Sequence, residues 1–298
     1  MKLHYRKLGS GKPLVVLHGV FGSSDNLFTV CRSIAEKGYE VYILDARNHG
    51  QSERSEVFNY EVMAEDLDHF LTEHGISAPV ILGHSMGGKT VLQYSQHYTN
   101  FSGLIMVDIA ARGYSRHHEH ILQGLQAIDT RTLTSRKEAE EIFSRFVTDA
   151  GERQFLLKNL YRTDEGGFDW RLNVPVLAEN AGEVVSAIPL YNKVEKPLLL
   201  MRGGESRYVR DEDFEQLKEY YPAARLVTID GANHWVHAVR PSEFVEEVIE
   251  TVGNHKEVVR RLKSGDMVTC NLNSVNLGRV TMDELKETVP LQIRMLDN

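Results

Sequence analysis

The stretch "ILGHSMGGK", residues 81–89, places a serine between two glycines, and it decides how the chain is expected to fold. The apolar run at residues 78–83 predicts a strand buried on both faces, and the apolar spacing that follows predicts a helix. In such a strand–turn–helix context, G-x-S-x-G forms a sharp turn that exposes the serine hydroxyl above a sheet. Gly83 and Gly87 then let the strand and the helix approach without a β-carbon clash. The alternative is a glycine-rich turn in which Ser85 only caps the helix.

The rest of the chain supplies the sheet that such a turn needs. Strand and helix patterns alternate at short intervals through residues 1–111, which predicts a mostly parallel central sheet covered by helices on both faces. Polar helical patterns replace the strand patterns at residues 112–189 and predict an inserted helical cap. Strand patterns resume at residues 190–253 and complete the core. Residues 254–298 are not needed for that sheet, and we expect a C-terminal extension whose role the sequence does not indicate.

Composition and charge exclude several classes of protein. The chain has 298 residues, of which 42% are hydrophobic and 26% charged, so it can bury a full core. A net charge of −8 and the lack of a basic patch argue against nucleic acid as a partner. Cys31 and Cys270 make neither a disulfide framework nor a metal site. Because no signal peptide and no apolar run of membrane-spanning length is present, we expect a cytoplasmic protein without a membrane span.

The carboxyl ends of the predicted parallel strands indicate where chemistry would take place. Polar residues end four of the apolar runs, at His18, Asp45, Ser85 and Asp108. A further strand ends in the turn "GANH", which places His234 at the same edge and downstream of the serine. Hydrolysis by a serine nucleophile needs a base, an acid that orients the base, and hydrogen-bond donors for the oxyanion. The sequence offers candidates for all three at this edge of the sheet. Among 13 histidines, His237 is the weaker rival of His234.

Seven motifs carry a resemblance to a known family. They are "LHGVFGSSDN" (17–26), "DARNHGQS" (45–52), "GHSMGGK" (83–89), "MVDIA" (106–110), "FDWRLNVP" (168–175), "GGESRYV" (203–209) and "NHWVHAVRP" (233–241). In these motifs the chain resembles the α/β-hydrolase family and, within it, the YbfF-type esterases. The resemblance implies the α/β-hydrolase fold and a hydrolase of small carboxylic esters or acyl thioesters that needs no cofactor. It does not extend to residues 254–298.

The resemblance also implies roles for residues around the serine. The backbone N–H of Met86, directly after the nucleophile, would be one oxyanion donor, and the N–H of Val20 would be the other. Phe21 and Trp235 are candidates for lining the substrate site. His49 is a weaker candidate, because it lies in the turn expected to brace the nucleophile loop.

Two further expectations concern residues beside the site. Asp45 and Arg47 belong to the same bracing turn as His49, and we expect a structural role for all three before any contact with substrate. Lys89 is expected to pack the helix that follows the nucleophile.

The acid of the triad is the point where the chain departs from the commonest hydrolase pattern. Many members of the family carry the aspartate in a run that matches "GESRYV", where this chain has Arg207 instead. An arginine cannot accept the histidine hydrogen bond. Asp108 is therefore the preferred acid, as in the YbfF-type esterases, and Glu205 is the alternative.

Other functions remain open on this evidence. The same triad serves carbon–carbon bond hydrolases and cofactor-free perhydrolases, and a slow hydrolase site can also act as a ligand receptor. The run "SRHHEH" at 115–120 could hold a metal, but no second ligand cluster is in view and a solvated helix start is preferred, so no metal is expected. The sequence predicts a small-molecule ester or thioester as the partner and leaves the oligomeric state open.

Overall fold

The structure is a computed structural model that describes residues 1–116 and 118–252. The strands in this part are β1 (Tyr5–Leu8), β2 (Lys12–Leu17), β3 (Tyr39–Leu44), β4 (Val80–His84), β5 (Gly103–Val107), β6 (Leu160–Arg162), β7 (Phe168–Trp170), β8 (Leu198–Gly203) and β9 (Ala224–Ile229). The helices are α1 (Ser24–Ala35), α2 (Tyr60–Glu73), α3 (Met86–His97), α4 (Glu119–Ala127), α5 (Arg136–Phe143), α6 (Ala150–Leu157), α7 (Val174–Glu179), α8 (Ala181–Val184), α9 (Asp211–Tyr220), α10 (Val236–Val239) and α11 (Pro241–Val252). The extension predicted at residues 254–298 lies outside the described residues.

A seven-stranded sheet runs in the order β1-β3-β2-β4-β5-β8-β9. Every pair in it is parallel except β1 with β3, which is antiparallel. Neighbouring residues Ile81 and Leu82 of β4 point to opposite faces and are both fully buried. Both faces of the central strands are therefore covered. The predicted fold class is confirmed.

Between β5 and β8 the chain forms helices α4 to α8 and a small antiparallel hairpin of β6 and β7. The polar helical patterns at residues 112–189 predicted helices alone here, and the hairpin differs from that prediction. Its turn contains Gly166 with φ +86°, and the Thr163 N–H donates to the Gly167 carbonyl at 3.0 Å. A glycine turn between two short aromatic runs favours a hairpin over a continuous helix. The core and cap boundaries proposed from the sequence remain a prediction.

The register of the parallel strands brings the polar strand ends together. The Ser85 N–H donates to the carbonyl of Val107 at 3.0 Å, and the Asp108 N–H donates to the carbonyl of Met201 at 2.7 Å. The ends of β4, β5 and β8 are thus level with one another. Residues that directly follow these strands are consequently side by side at one edge of the sheet. None of the helices in the described part of the chain is long and apolar enough to cross a membrane.

Candidate active site

Ser85 stands on a strained turn between β4 and α3. Its backbone has φ 52° and ψ −117°, in the left-handed half of conformational space that residues with a side chain rarely adopt. A β-carbon at Gly83 would lie 2.2 Å from the Gly87 backbone, and one at Gly87 would lie 2.5 Å from the Leu17 carbonyl oxygen. Only glycine fits at either position. The two glycines therefore permit the close contact of strand and helix that presents Ser85.

His234 and Asp108 are directly hydrogen-bonded. Nδ1 of His234 lies 2.7 Å from Oδ2 of Asp108. The Asp108 side chain is fully buried, whereas that of His234 is 18% exposed. Asp108 Oδ1 accepts from the Gly203 N–H at 3.0 Å, and Oδ2 also accepts from the hydroxyl of Ser206. The buried carboxylate is thus held by donors from the end of β8 as well as by the imidazole.

Glu205, the alternative acid, has a different position. It is an exposed residue, and its backbone N–H donates to the Ala232 carbonyl at 2.9 Å. Its neighbour Ser206 is the residue of this segment that reaches Asp108. The geometry therefore favours Asp108 as the partner of His234.

Tyr208 stacks on the ring of His234, with centroids 3.9 Å apart and an interplanar angle of 18°. Burial raises the pKa of the Tyr208 hydroxyl to about 12, so the ring stays neutral at physiological pH. The stacked ring and the Asp108 carboxylate together limit how far the imidazole of His234 can turn.

Two further histidines lie behind His234 and are fully buried. His84 Nε2 donates to the backbone carbonyl of His234 at 2.9 Å, and the His84 ring contacts the ring of His237 at 4.8 Å between centroids. Burial lowers the pKa of His84 well below its usual value and that of His237 to about 4. Both rings are therefore neutral near pH 7. Within the described part of the chain, the buried Nδ1 of His237 has no hydrogen-bond partner, and Asp108 is bound by His234 instead.

The loop after β2 carries the predicted oxyanion donor, and two neutral histidines support it. His18 Nε2 accepts from the Ala46 N–H at 3.0 Å, so its Nδ1 donates to the Gly19 carbonyl at 2.7 Å. His49 Nε2 accepts from the Phe21 N–H at 3.3 Å. Burial lowers the pKa of His49 to about 3. Because the Phe21 N–H already donates to His49, the N–H of Val20 remains the candidate oxyanion donor of this loop.

His49 has the structural position that was expected first, and its secondary candidacy for lining the substrate site is wrong. It is fully buried behind the loop, where its Nδ1 donates to the Arg47 carbonyl at 2.8 Å, and it does not line the cavity. The rest of the turn "DARNHGQS" is bonded in the same structural way. Asp45 accepts from the Ser24 N–H at 2.6 Å, and Arg47 pairs with Asp66 at 2.7 Å.

A cavity of about 300 Å³ contains Ser85 and His234 in its wall. Phe21 and Trp235, both predicted as lining residues, are also part of it. The other lining residues are His18, Gly19, Val20, Gly22, Asn26, Leu27, His84, His118, His120, Ile121, Glu152, Phe155, Leu156, Tyr208 and His237. Residues of α4 and α6 thus form part of the cavity wall together with residues that follow the strands.

The run "SRHHEH" contributes His118 and His120 to this wall, while His117 lies outside the described residues. Within the described part of the chain, no three histidine, cysteine or acidic side chains are grouped so that they could hold a metal ion.

Sequence reasoning missed three residues of the site: Ser206, Tyr208 and His84. The first two lie in "GESRYV", the run that lacks the usual aspartate, and a serine one residue before that position is a potential donor to a carboxylate from another strand. His84 directly precedes Ser85, and no periodic pattern distinguishes it from an ordinary strand residue.

This fold and this strand-end arrangement define a class of protein. The family model of the alpha/beta hydrolase fold matches residues 12–241. The chain belongs to the α/β-hydrolase family.

Individual relatives are similar over most of the chain. Esterase YbfF of Escherichia coli (strain K12) is 35% identical over 243 residues, which are 80% of this chain and 92% of that protein. The sn-1-specific diacylglycerol lipase ABHD11 of Danio rerio is 33% identical over 250 residues, which are 81% of this chain and 78% of the lipase. A solved structure titled marine microorganism esterase is 37% identical with a TM-score of 0.81, and the match covers 84% of this chain and 99% of that one.

Proposed function

We propose that this carboxylic ester hydrolase cleaves esters or thioesters of small acyl groups through a Ser85–His234–Asp108 triad and an acyl-enzyme. The observation that carries the proposal is the 2.7 Å contact between His234 Nδ1 and Asp108 Oδ2, beside a serine on a strained turn in the same cavity. A buried carboxylate on Nδ1 leaves Nε2 of the neutral imidazole as the atom that can accept a proton.

In the first half of the reaction, the hydroxyl of Ser85 attacks the acyl carbonyl and passes its proton to His234 Nε2. Asp108 stabilises the resulting imidazolium. As the tetrahedral intermediate collapses, the bond to the alcohol or thiol breaks, and the leaving group takes the proton from His234. In the second half, water gives a proton to His234 and attacks the acyl-enzyme. The second tetrahedral intermediate then breaks its bond to Ser85 Oγ, which takes the proton back from His234, and the acid is released.

The negative charge of the tetrahedral intermediate needs donors that are in place before the reaction. The N–H of Met86 is in the first turn of α3, where backbone N–H groups have no partner within the helix. The N-terminus of that helix also favours a negative charge. The N–H of Val20, from the loop that His18 and His49 support, would donate from the other side.

The cavity argues for a small acyl group. Its volume of about 300 Å³ is at the lower end of the range typical for small-molecule sites. Its wall combines apolar side chains such as Leu27, Ile121 and Phe155 with the polar groups around Ser85. The similar proteins named esterase also support an ester substrate.

The test is turnover of p-nitrophenyl esters from acetate to octanoate and of the matching acyl thioesters, by wild type and by Ser85→Ala. We expect wild type to prefer short acyl groups and Ser85→Ala to lose several orders of magnitude in kcat. Ser33→Ala is the matched control, because Ser33 of α1 is only partly buried and does not line the cavity, and it should retain full turnover. Ser85→Ala with near-wild-type turnover would exclude the serine mechanism. If wild type cleaved carbon–carbon bonds of diketones, or catalysed perhydrolysis, but did not turn over any of these esters or thioesters, the proposed substrate class would be excluded.

A further inference from the structure

Lys89, on the helix that follows the nucleophile, has a fully buried side chain. Its ammonium donates to the backbone carbonyl of Arg112 at 2.8 Å and to that of Ser186. It also lies 4.9 Å from the ring centroid of Tyr114 and 5.9 Å from that of Tyr60. Among the described residues these partners are carbonyls and aromatic rings, and none is a carboxylate. A buried ammonium without a counter-ion is rare, because removing the charge from water is strongly unfavourable.

The two carbonyls belong to the two ends of the cap, which we call the cap roots and define as residues 111–114 and 184–188. The cap roots lie side by side. The Tyr114 N–H donates to the Val185 carbonyl at 2.8 Å, and the Ile188 N–H donates to the Ala111 carbonyl at 2.8 Å. Lys89 therefore donates hydrogen bonds to both cap roots. Its helix, α3, begins directly after the turn that carries Ser85.

The elements packed around this lysine carry several charged and titratable groups. Arg112 lies in the first root and pairs with Asp213 of α9 at 3.0 Å. Glu183 of α8 precedes the second root. Tyr60 of α2 donates from its hydroxyl to the Val184 carbonyl at 2.8 Å. Burial raises the pKa of the Tyr60 and Tyr114 hydroxyls, so both tyrosines stay neutral.

We propose that Lys89 is a positioning residue that ties both cap roots to the nucleophile helix, and thereby sets how closely α4 and α6 cover the acyl cavity. Lys89 does not line the cavity, so it would act through the cap and not by touching substrate. The proposal rests on the proposed function for its effect on substrate choice. Its structural part, the tie between helix and roots, can be tested without any turnover.

Burial, with a smaller contribution from Arg112, lowers the pKa of Lys89 to about 7. The tie is strongest when the amine is charged, because charge-assisted hydrogen bonds are about twice as strong as neutral ones. A rise of pH through that pKa should therefore loosen the cap roots.

The first experiment compares hydrogen–deuterium exchange in Lys89→Met and Lys196→Met in the full-length chain. Methionine has nearly the shape of lysine and removes the charge and the donors, and such replacements of buried charges often leave the fold intact. Lys196 is the matched control: its ammonium also donates to two backbone carbonyls, of Thr99 and Phe101, both at 2.6 Å, and neither belongs to the cap roots.

We expect Lys89→Met to lower the protection of peptides covering residues 111–116 and 184–189 by about tenfold or more, while the peptide covering β5 is unchanged. Lys196→Met should leave the cap roots as in wild type. Equal protection of the cap roots in wild type and Lys89→Met would overturn the proposal, as would an equal loss in the two variants.

A second measurement needs no variant and decides the matter if Lys89→Met does not fold. Exchange of wild type is measured from about pH 6 to about pH 8.5 and divided by the intrinsic rate at each pH, which isolates protection from chemistry. Protection of the cap roots should fall across this range, and that of β5 should not. Constant protection at the cap roots would contradict the tie.

The consequence for substrate is measured last, as kcat/KM for octanoate relative to butyrate p-nitrophenyl esters. A looser cap should raise this ratio about fivefold or more in Lys89→Met, mainly through KM. If exchange changes and this ratio does not, the tie does not set acyl choice and the proposal is wrong in that part. Failure of the proposed function itself would be visible separately, as wild-type turnover that does not depend on Ser85.

Discussion

Nδ1 of His234 lies 2.7 Å from Oδ2 of Asp108, although 126 positions separate the two residues in the chain. The contact joins the turn after β9 to the end of β5, and β8 lies between these two strands in the sheet. The last residue of β8 contributes the Gly203 N–H, and the segment after it contributes the Ser206 hydroxyl, as donors to the carboxylate. The carboxylate therefore comes from the end of one strand, and its hydrogen-bond donors come from the neighbouring strand and the segment after it.

Replacing the acid tests this assignment. Asp108→Asn should lower kcat by about 10²- to 10⁴-fold, because an amide cannot hold the histidine in the tautomer that accepts the serine proton. Glu205→Gln changes an exposed carboxylate in an equally conservative way and should leave kcat within about twofold of wild type. Steady-state kinetics on one p-nitrophenyl ester suffices. The reverse pattern would assign the acid to Glu205.

The need for glycine beside the Ser85 turn can be tested by measuring the free energy of unfolding of substituted variants. Gly83→Ala would bring a β-carbon to 2.2 Å from backbone atoms, which no side-chain rotation can relieve, so we expect a loss of several kcal/mol, on the order of the largest single-residue effects. Gly103→Ala is the control, because its β-carbon would have no neighbour closer than 3.5 Å. Urea unfolding would measure both. Equal midpoints for the two variants would show that the strand and helix are not in close contact.

Much of this arrangement was predictable from local pattern. Apolar runs, the glycines around Ser85 and the rule that parallel strands share one carboxyl edge are enough to place Ser85, Asp108 and His234 near each other. The predicted fold class and the ester hydrolase class are confirmed by the family match and the relatives.

The remaining details depend on contacts between segments far apart in sequence. Ser206 reaches Asp108 across 98 positions, and Lys89 reaches Ser186 across 97, so no local pattern could predict either bond. His49 was preferred as a structural residue and was only a secondary candidate for the substrate wall, and local pattern could not decide between the two because its burial depends on how the loop of Phe21 folds over it.

The buried histidines predict a loss of stability in acid. His237 has a pKa of about 4 in the folded protein and 6.5 as its reference value, so between these limits the unfolded chain binds more protons than the folded one. The free energy of unfolding should therefore fall as pH decreases from 6.5 to 4. His237→Gln should reduce this fall, whereas His69→Gln, which changes a histidine with an exposed side chain on α2, should not. Urea titrations across this range measure the slope, and equal slopes in wild type and His237→Gln would contradict the assignment.

The residues of α6 that line the cavity should determine which acyl chain lengths the protein prefers. Phe155 of α6 lines the cavity and packs edge-on against Trp235, with centroids 4.4 Å apart. Phe155→Ala should enlarge the cavity and shift the best substrate towards longer acyl chains, with kcat/KM for octanoate rising about tenfold relative to butyrate. Phe146→Ala removes another half-buried phenylalanine of the same region that does not line the cavity, and it should keep the wild-type preference. An unchanged profile for Phe155→Ala would show that α6 does not limit the acyl group.

The central claim is that Ser85 becomes covalently acylated during turnover. Wild type mixed with p-nitrophenyl acetate and quenched in acid within the first turnovers should carry one added acetyl group by intact mass, and peptide mapping should place it on Ser85. Asp108→Asn should form the same adduct more slowly, because the base is less well oriented. An acetyl group on another residue, or turnover with no adduct under conditions where wild type gives a burst of p-nitrophenol, would contradict the account.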